Sequence, residues 1–180
     1  YTQLLARRYQ WNLDPDADAF IAFAVEWAIR MQHLITDLLH YSRVGTKGKP
    51  FAPTRCDAVL EQALTNLQPA VRDSGAVSTR GPLPTVMGDE LQLVQLFQNL
   101  LGNAIKFRRP SVPPHIEISA TREKAGWRFQ VTDDGIGFDQ QYADRVFVVF
   151  QRLHTSEEYP GTGIGLAICK KIVERHGGRI

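Results

Sequence analysis

The chain has 180 residues, 43% apolar and 22% charged, and its 21 basic and 19 acidic side chains leave a net charge of +2. That length holds one domain with a smaller element beside it, and the even charge balance excludes a nucleic-acid or membrane-surface footprint. No stretch approaches the roughly 20 apolar residues that span a bilayer. The opening YTQLLARRYQ is no secretory signal, and Cys56 and Cys169 belong to no CxxC pattern, which excludes a disulfide framework and suits a reducing, cytoplasmic compartment.

Residues 1–9 carry the apolar spacing of a helix end. Asn12, Asp14, Pro15 and Asp16 break it, with Trp11 in the turn, and Asp16 or Asp18 is placed to cap the next helix. From Asp18 to about Val44, the residues Ala24, Trp27, Met31, Leu34, Leu38 and Tyr41 recur at spacings of three and four, and Ile21, Ala28 and Ile35 widen the stripe. That face is too broad for a lone surface helix and predicts a bundle helix. Its polar side sets His33, Asp37 and His40 at i, i+4 and i+7, either a solvated face or a surface Zn²⁺ or Ni²⁺ site. GTKGKP predicts a linker over 46–50, between a helical segment, 1–45, and a second domain, 51–180. That domain opens with a strand over 51–55 and a helix over 56–74 stopped by Ser74-Gly75. A short strand in PLPTVMGD, a helix over 89–107 with Asp89 at its start, and a proline-rich loop over 108–115 come next. Strict alternation over 115–122 and 127–132 predicts a hairpin. A last helix over 165–176 ends at Gly177-Gly178, and another strand is expected to begin at Ile180.

Three segments carry candidate chemistry. In NLLGNAIKF, Asn99, Asn103 and Lys106 share one helical face opposite an apolar one; this is either a solvated face or a set of donors for a hydrated Mg²⁺ and a phosphate. VTDDGIGF delivers a carboxylate, Asp133, at a strand end, where it can accept from the exocyclic amine of adenine; Gly135 and Gly137 then let the backbone turn closely, as they also would in a plain Asp-Gly turn. GTGIGLAICKKI sets Gly161, Gly163 and Gly165 immediately before a helix, either a flexible loop or an N-terminus suited to polyphosphate. Its spacing is neither GxxxxGK[ST] nor GxGxxG.

The order of these segments resembles the Bergerat-fold ATPases. NLLGNAIKF, DDGIGF, the pair Phe147 and Phe150, and GTGIGLAICKKIVERHGG resemble in particular the sensor histidine kinases, phytochrome-type ones among them. MQHLITDLLHYSRV is similar to the second helix of their dimerisation bundle. The resemblance implies an α+β fold: a Bergerat-type α/β sandwich, a mixed sheet with helices on one face, preceded by part of a helical dimerisation hairpin. It implies ATP and Mg²⁺ as cofactors. Asp133 would bind the adenine amine, flanked by Gly135 and Gly137. Asn103 would hold Mg²⁺ with Asn99 in support, and Lys106 would reach the phosphates. Gly161, Thr162, Gly163, Gly165 and Leu166 would hinge a lid and face the phosphates. Phe147 and Phe150 would anchor that lid, about 138–162, and Arg152 would approach the γ-phosphate from it. The implied partners are a second copy, through the 18–44 helix, and a response-regulator receiver domain.

The family's phosphoacceptor histidine precedes an acidic residue, whereas His33, His40, His115, His154 and His176 precede Leu, Tyr, Ile, Thr and Gly. The expectation is that the acceptor helix would begin before Tyr1. A final strand, with a threonine steadying Asp133, would follow Ile180. The chain by itself would then have no histidine to phosphorylate. A gyrase-like ATPase, an anti-sigma-type serine kinase, or a non-catalytic scaffold with Trp27 altering the helix seam are the other readings.

Overall fold

The computed structural model describes residues 1–9, 14–46, 48–155 and 158–180. Trp11 and Asn12 of the expected turn, and Lys47 of the expected linker, lie outside the described residues. The chain divides into two compact units, Tyr1–His40 and Tyr41–Ile180.

The first unit holds helix α1 (Thr2–Tyr9) and most of α2 (Pro15–Thr46). Helix α2 starts earlier than its apolar stripe suggests, because Asp14 caps it. The Asp14 carboxylate accepts from the Ala17 N–H at 2.9 Å, and Pro15, lacking an N–H, fits the first helical position. The helix runs on through Gly45 to Thr46. Among the described residues, no helix is long and apolar enough to cross a membrane. No three His, Cys, Asp or Glu side chains among them could hold a metal ion. His33, Asp37 and His40 thus form no such group, and seven residues of helix put about 10 Å of axial rise between the two histidines.

The second unit contains β1 (Ala52–Arg55), α3 (Cys56–Asn66), α4 (Gln68–Ser74), β2 (Val77–Arg80), β3 (Thr85–Gly88), α5 (Glu90–Lys106), β4 (His115–Glu123), β5 (Gly126–Asp133) and α6 (Gly165–Arg175). One expectation is corrected here. The 56–74 helix is two helices, because Pro69 cannot donate within a continuous helix and the chain restarts after Leu67. Strand β2 carries no signature in the sequence, since four residues are too few to display a period.

Strands β1 and β3 pair antiparallel, while β2, β4 and β5 make a mixed sheet, β2 parallel and β5 antiparallel to the central β4. Alternation sends Ile116 and Ile118 of β4 into the core with Val59, Leu60, Phe97, Leu101 and Ile105 of α3 and α5. Register sets Val131 opposite Ile118 and Phe129 opposite Ala120, so these share the inward face. Burial pushes the thiol of Cys169 up to about 12 and that of Cys56 up to about 11, so both are neutral apolar fillers at neutral pH.

Candidate functional site

Strand parity separates the two adjacent aspartates. Asp133 stands opposite Ile116 and continues the inward series Phe129, Val131. It therefore leaves the sheet on the side where α5 ends. Asp134 has the other parity, and its carboxylate accepts from the His115 N–H at 2.9 Å. One aspartate ties the strand ends; the other is offered to the site. The Asp133 carboxylate also accepts from the Gly135 N–H at 2.9 Å, shaping the turn.

That turn docks on the end of α5. The Phe107 carbonyl accepts from the Ile136 N–H at 3.0 Å. A side chain at Gly135 would bring a Cβ to 2.6 Å from the same oxygen, so the glycine is required by close approach rather than by an unusual φ. Gly137 does need its freedom, at φ +63. Arg109 donates from Nε to the Gly135 carbonyl at 3.3 Å and holds the turn from outside.

The glycine segment meets the same helix from the other side. Asn99 donates from Nδ2 to the Gly165 carbonyl at 3.2 Å, which fixes the first residue of α6 against α5. Ile164 precedes that residue and supplies no side-chain cap, so α6 begins with a helix N-terminus of the kind that suits an anion. Thr162 and Leu166 are half-buried beside it. A Cβ at Gly161 would lie 3.0 Å from the Lys106 Nζ, which places that ammonium against the glycine backbone.

Lys106 is the electrostatic centre. Its amine titrates below the ordinary lysine value, first because burial penalises its charge and then because the Arg152 guanidinium is close. Two cations held together with partial desolvation are stabilised by an anion between them. Asn103, half-buried one turn earlier, makes no side-chain hydrogen bond among the described residues, leaving an oxygen donor of the kind a hard cation takes. This donor set fits a Mg²⁺-bearing polyphosphate.

The segment between the turn and α6 folds over this end of α5. Tyr159 and His154 set their rings 5.0 and 5.8 Å from that of Phe107. Arg152 is committed within the segment: it donates to the carbonyls of Gly161, Thr155 and Tyr159 at 2.7, 2.9 and 2.6 Å. Gly163, at φ +75, lets residues 150–152 pass close, and its carbonyl accepts from the Phe150 N–H. The two expected anchors differ. Phe147 is half-buried and lines a cleft of about 330 Å³ with Ala167 and Lys171. Phe150, at φ +66, turns outward and is 56% exposed. The motifs alone give no role to Phe107, Arg109, His154 or Tyr159; an aromatic directly after Lys106 is the one signal available for them.

The profile of the histidine kinase-, DNA gyrase B- and HSP90-like ATPases matches residues 88–180, from the end of β3 through all three segments. The chain belongs to that ATPase family. Among its relatives, cyanobacterial phytochrome A of Nostoc sp. is 55% identical and the phytochrome-like protein Cph1 of Synechocystis sp. is 49% identical, both over the whole chain. The chain spans 23% and 24% of the length of these two proteins. In structure it is similar to full-length ShkA in complex with AMPPNP, with a TM-score of 0.68 and 27% identity, covering 98% of this chain and 37% of that one. The mycobacterial sensor histidine kinase MprB gives 0.61 and 29%, covering 71% of this chain and 80% of that one. The family's α+β architecture is the one expected from the motifs.

Proposed function

We propose that this chain is the ATP-binding catalytic core of a two-component sensor histidine kinase. The observation that carries the reading is the convergence of three separate segments on one end of α5: Gly135 against the Phe107 carbonyl, Gly165 against Asn99, and Gly161 against Lys106. Asp133 accepts the adenine amine, with Gly135 and Gly137 allowing the ring to approach. Asn103 holds Mg²⁺ and Asn99 keeps α6 in place. Lys106 and the N-terminus of α6 take the phosphates. Bound ATP supplies the γ-phosphoryl group, whose transfer needs positioning and charge neutralisation more than covalent help from the protein.

Arg152 reaches the γ-phosphate only by giving up carbonyls within its own segment, so nucleotide binding and lid rearrangement are one event. The acceptor is a histidine other than the chain's five, none of which has an acidic neighbour, and a receiver-domain aspartate takes the group next. Trp27, Phe20 and Leu38 are exposed on α2, which supports a homodimer formed by covering that face with a second copy. The compartment is the cytoplasm.

Calorimetry with Mg·ATP on the chain and on Asp133→Asn tests the reading. Asparagine keeps an oxygen for the Gly135 N–H but turns a donor toward the adenine amine. The expected result is binding by the parent chain and a loss of about tenfold or more in the variant, the scale of one hydrogen bond to a charged group. Equal binding by both proteins, or none by the parent, rejects the assignment.

A further inference from the structure

The chain between α5 and β4, residues 107–115, touches the turn that carries Asp133 at three points. At its start, the Phe107 carbonyl accepts from the Ile136 N–H at 3.0 Å. At its middle, Arg109 Nε donates to the Gly135 carbonyl at 3.3 Å. At its end, the His115 N–H donates to Oδ1 of Asp134 at 2.9 Å. Residues 134, 135 and 136 are thus each tied to the same loop, one by its side chain and two by backbone groups.

The loop is itself held. Arg108 donates from Nη1 to the Ile105 carbonyl at 3.1 Å and closes the last turn of α5. The Val112 N–H donates to the Arg109 carbonyl at 3.3 Å, and Ser111 sits at φ +61, a conformation that a residue with a side chain keeps only where its surroundings enforce it. Pro114 is fully buried, and its carbonyl accepts from the Val77 N–H at 3.0 Å. Prolines at 110, 113 and 114 remove further backbone freedom. Helix α5 and strands β2 and β4 therefore fix the loop, and the loop fixes the turn.

This bracing decides where the Asp133 carboxylate stands. Its Oδ1 accepts from the Gly135 N–H at 2.9 Å, so Oδ2 is the oxygen offered to a base. A carboxylate only accepts. Where adenine presents its exocyclic amine, guanine presents a carbonyl, which a carboxylate repels. Guanine carries donors of its own further along the same edge, a ring N–H and an amine. An aspartate at the site therefore selects adenine by the place of its oxygen and not by being an aspartate.

We propose that Asp134 and Arg109 are positioning residues that set the purine preference of the site: they hold Oδ2 of Asp133 at the adenine amine and away from the guanine donors. Asp134 is the stronger of the two, because its tie is short and made by a charged acceptor, whereas the Arg109 contact is longer. The proposal rests on the ATP reading, which assigns the base to Asp133 and gives neither of these residues a part.

Calorimetry with Mg·ATP and Mg·GTP on the parent chain, Asp134→Ala, Asp134→Asn and Arg109→Met tests it, beside amide exchange of Ile136 in the nucleotide-free proteins. The parent is expected to prefer ATP. Asp134→Ala should lower the preference for ATP over GTP about tenfold, the scale of one hydrogen bond to a charged group, and speed Ile136 exchange by a similar factor. Asp134→Asn keeps an oxygen for the His115 N–H and should stay within about threefold of the parent in both readouts. Arg109→Met should fall between the two. A merely structural role would weaken both nucleotides equally and leave the preference alone. A parent that binds both nucleotides equally, or an unchanged preference in Asp134→Ala, overturns the proposal. So does a preference in Asp134→Asn that falls as far as in Asp134→Ala, because the charge and not the tie would then be responsible. Failure of the ATP reading shows separately, as a parent that binds neither nucleotide; Ile136 exchange at the parent rate in Asp134→Ala then overturns the brace by itself.

Discussion

Helices α2 and α5 carry similar amphipathic patterns and meet opposite fates. In α5 the apolar face closes on the sheet and on α3; Leu101 has no exposed surface and Phe97 has 4%. In α2 Ile21 is buried at 7%, but much of the same kind of stripe is exposed, with Phe20 at 71% and Trp27 at 56%. Periodicity therefore states that a face will be covered and leaves open what covers it. For α5 the cover is local in the fold, because a strand pair and a helix hairpin bring Ile116, Ile118, Val59 and Leu60 against it. For α2 the cover has to come from elsewhere.

The sharpest way to break the comparison is to truncate both stripes. Leu101→Ala should lower the unfolding free energy by about 3 kcal/mol in denaturant titration, the usual cost of a cavity at a fully buried site. Trp27→Ala should cost under about 1 kcal/mol in the same titration but weaken self-association measured by sedimentation. Similar losses in both would mean that α2 is buried within its own chain.

A smaller effect is expected where α5 meets the Asp133 turn. Gly135→Ala drives a methyl group toward the Phe107 carbonyl, and the turn must withdraw. The expected cost is roughly 1–3 kcal/mol by overpacking, with a parallel loss of nucleotide affinity. A variant that loses neither would free Gly135 from its assigned role.

The smallest effect separates the ends of α5 by charge. Because the folded protein holds Lys106 below the ordinary 10.5, the unfolded chain binds more protons between the folded value and 10.5. Stability contributed by this group therefore rises as pH climbs through that window. A polyphosphate beside the amine restores the proton. Nucleotide binding should take up protons in the window and weaken as pH rises through it, read by calorimetry in two buffers of different ionisation heat. Lys106→Met should remove the uptake.

Much of this is legible in the sequence. Helical spacing alone sets Asn99, Asn103 and Lys106 on one face, and alternation alone sets the β4–β5 hairpin. Each of the three segments taken singly leaves a plain reading open, and only their order, through the family resemblance, implies a nucleotide site. The Asp14 cap, the break at Pro69 and strand β2 escape such a reading for local reasons: short elements show no period, and several nearby aspartates compete for one cap.

The candidate site residues are thus legible in side-chain identity and spacing. What only the tertiary structure decided is which backbone groups receive them. The carbonyls of Phe107, Gly165, Val44 and Lys49 position the Asp133 turn, α6 and the tail of α2. Every residue carries such a carbonyl, so nothing in the sequence marks the ones in use. Arg175 finds its partners 83 to 126 residues away, and only the packing of α5 against α6 brings them within reach.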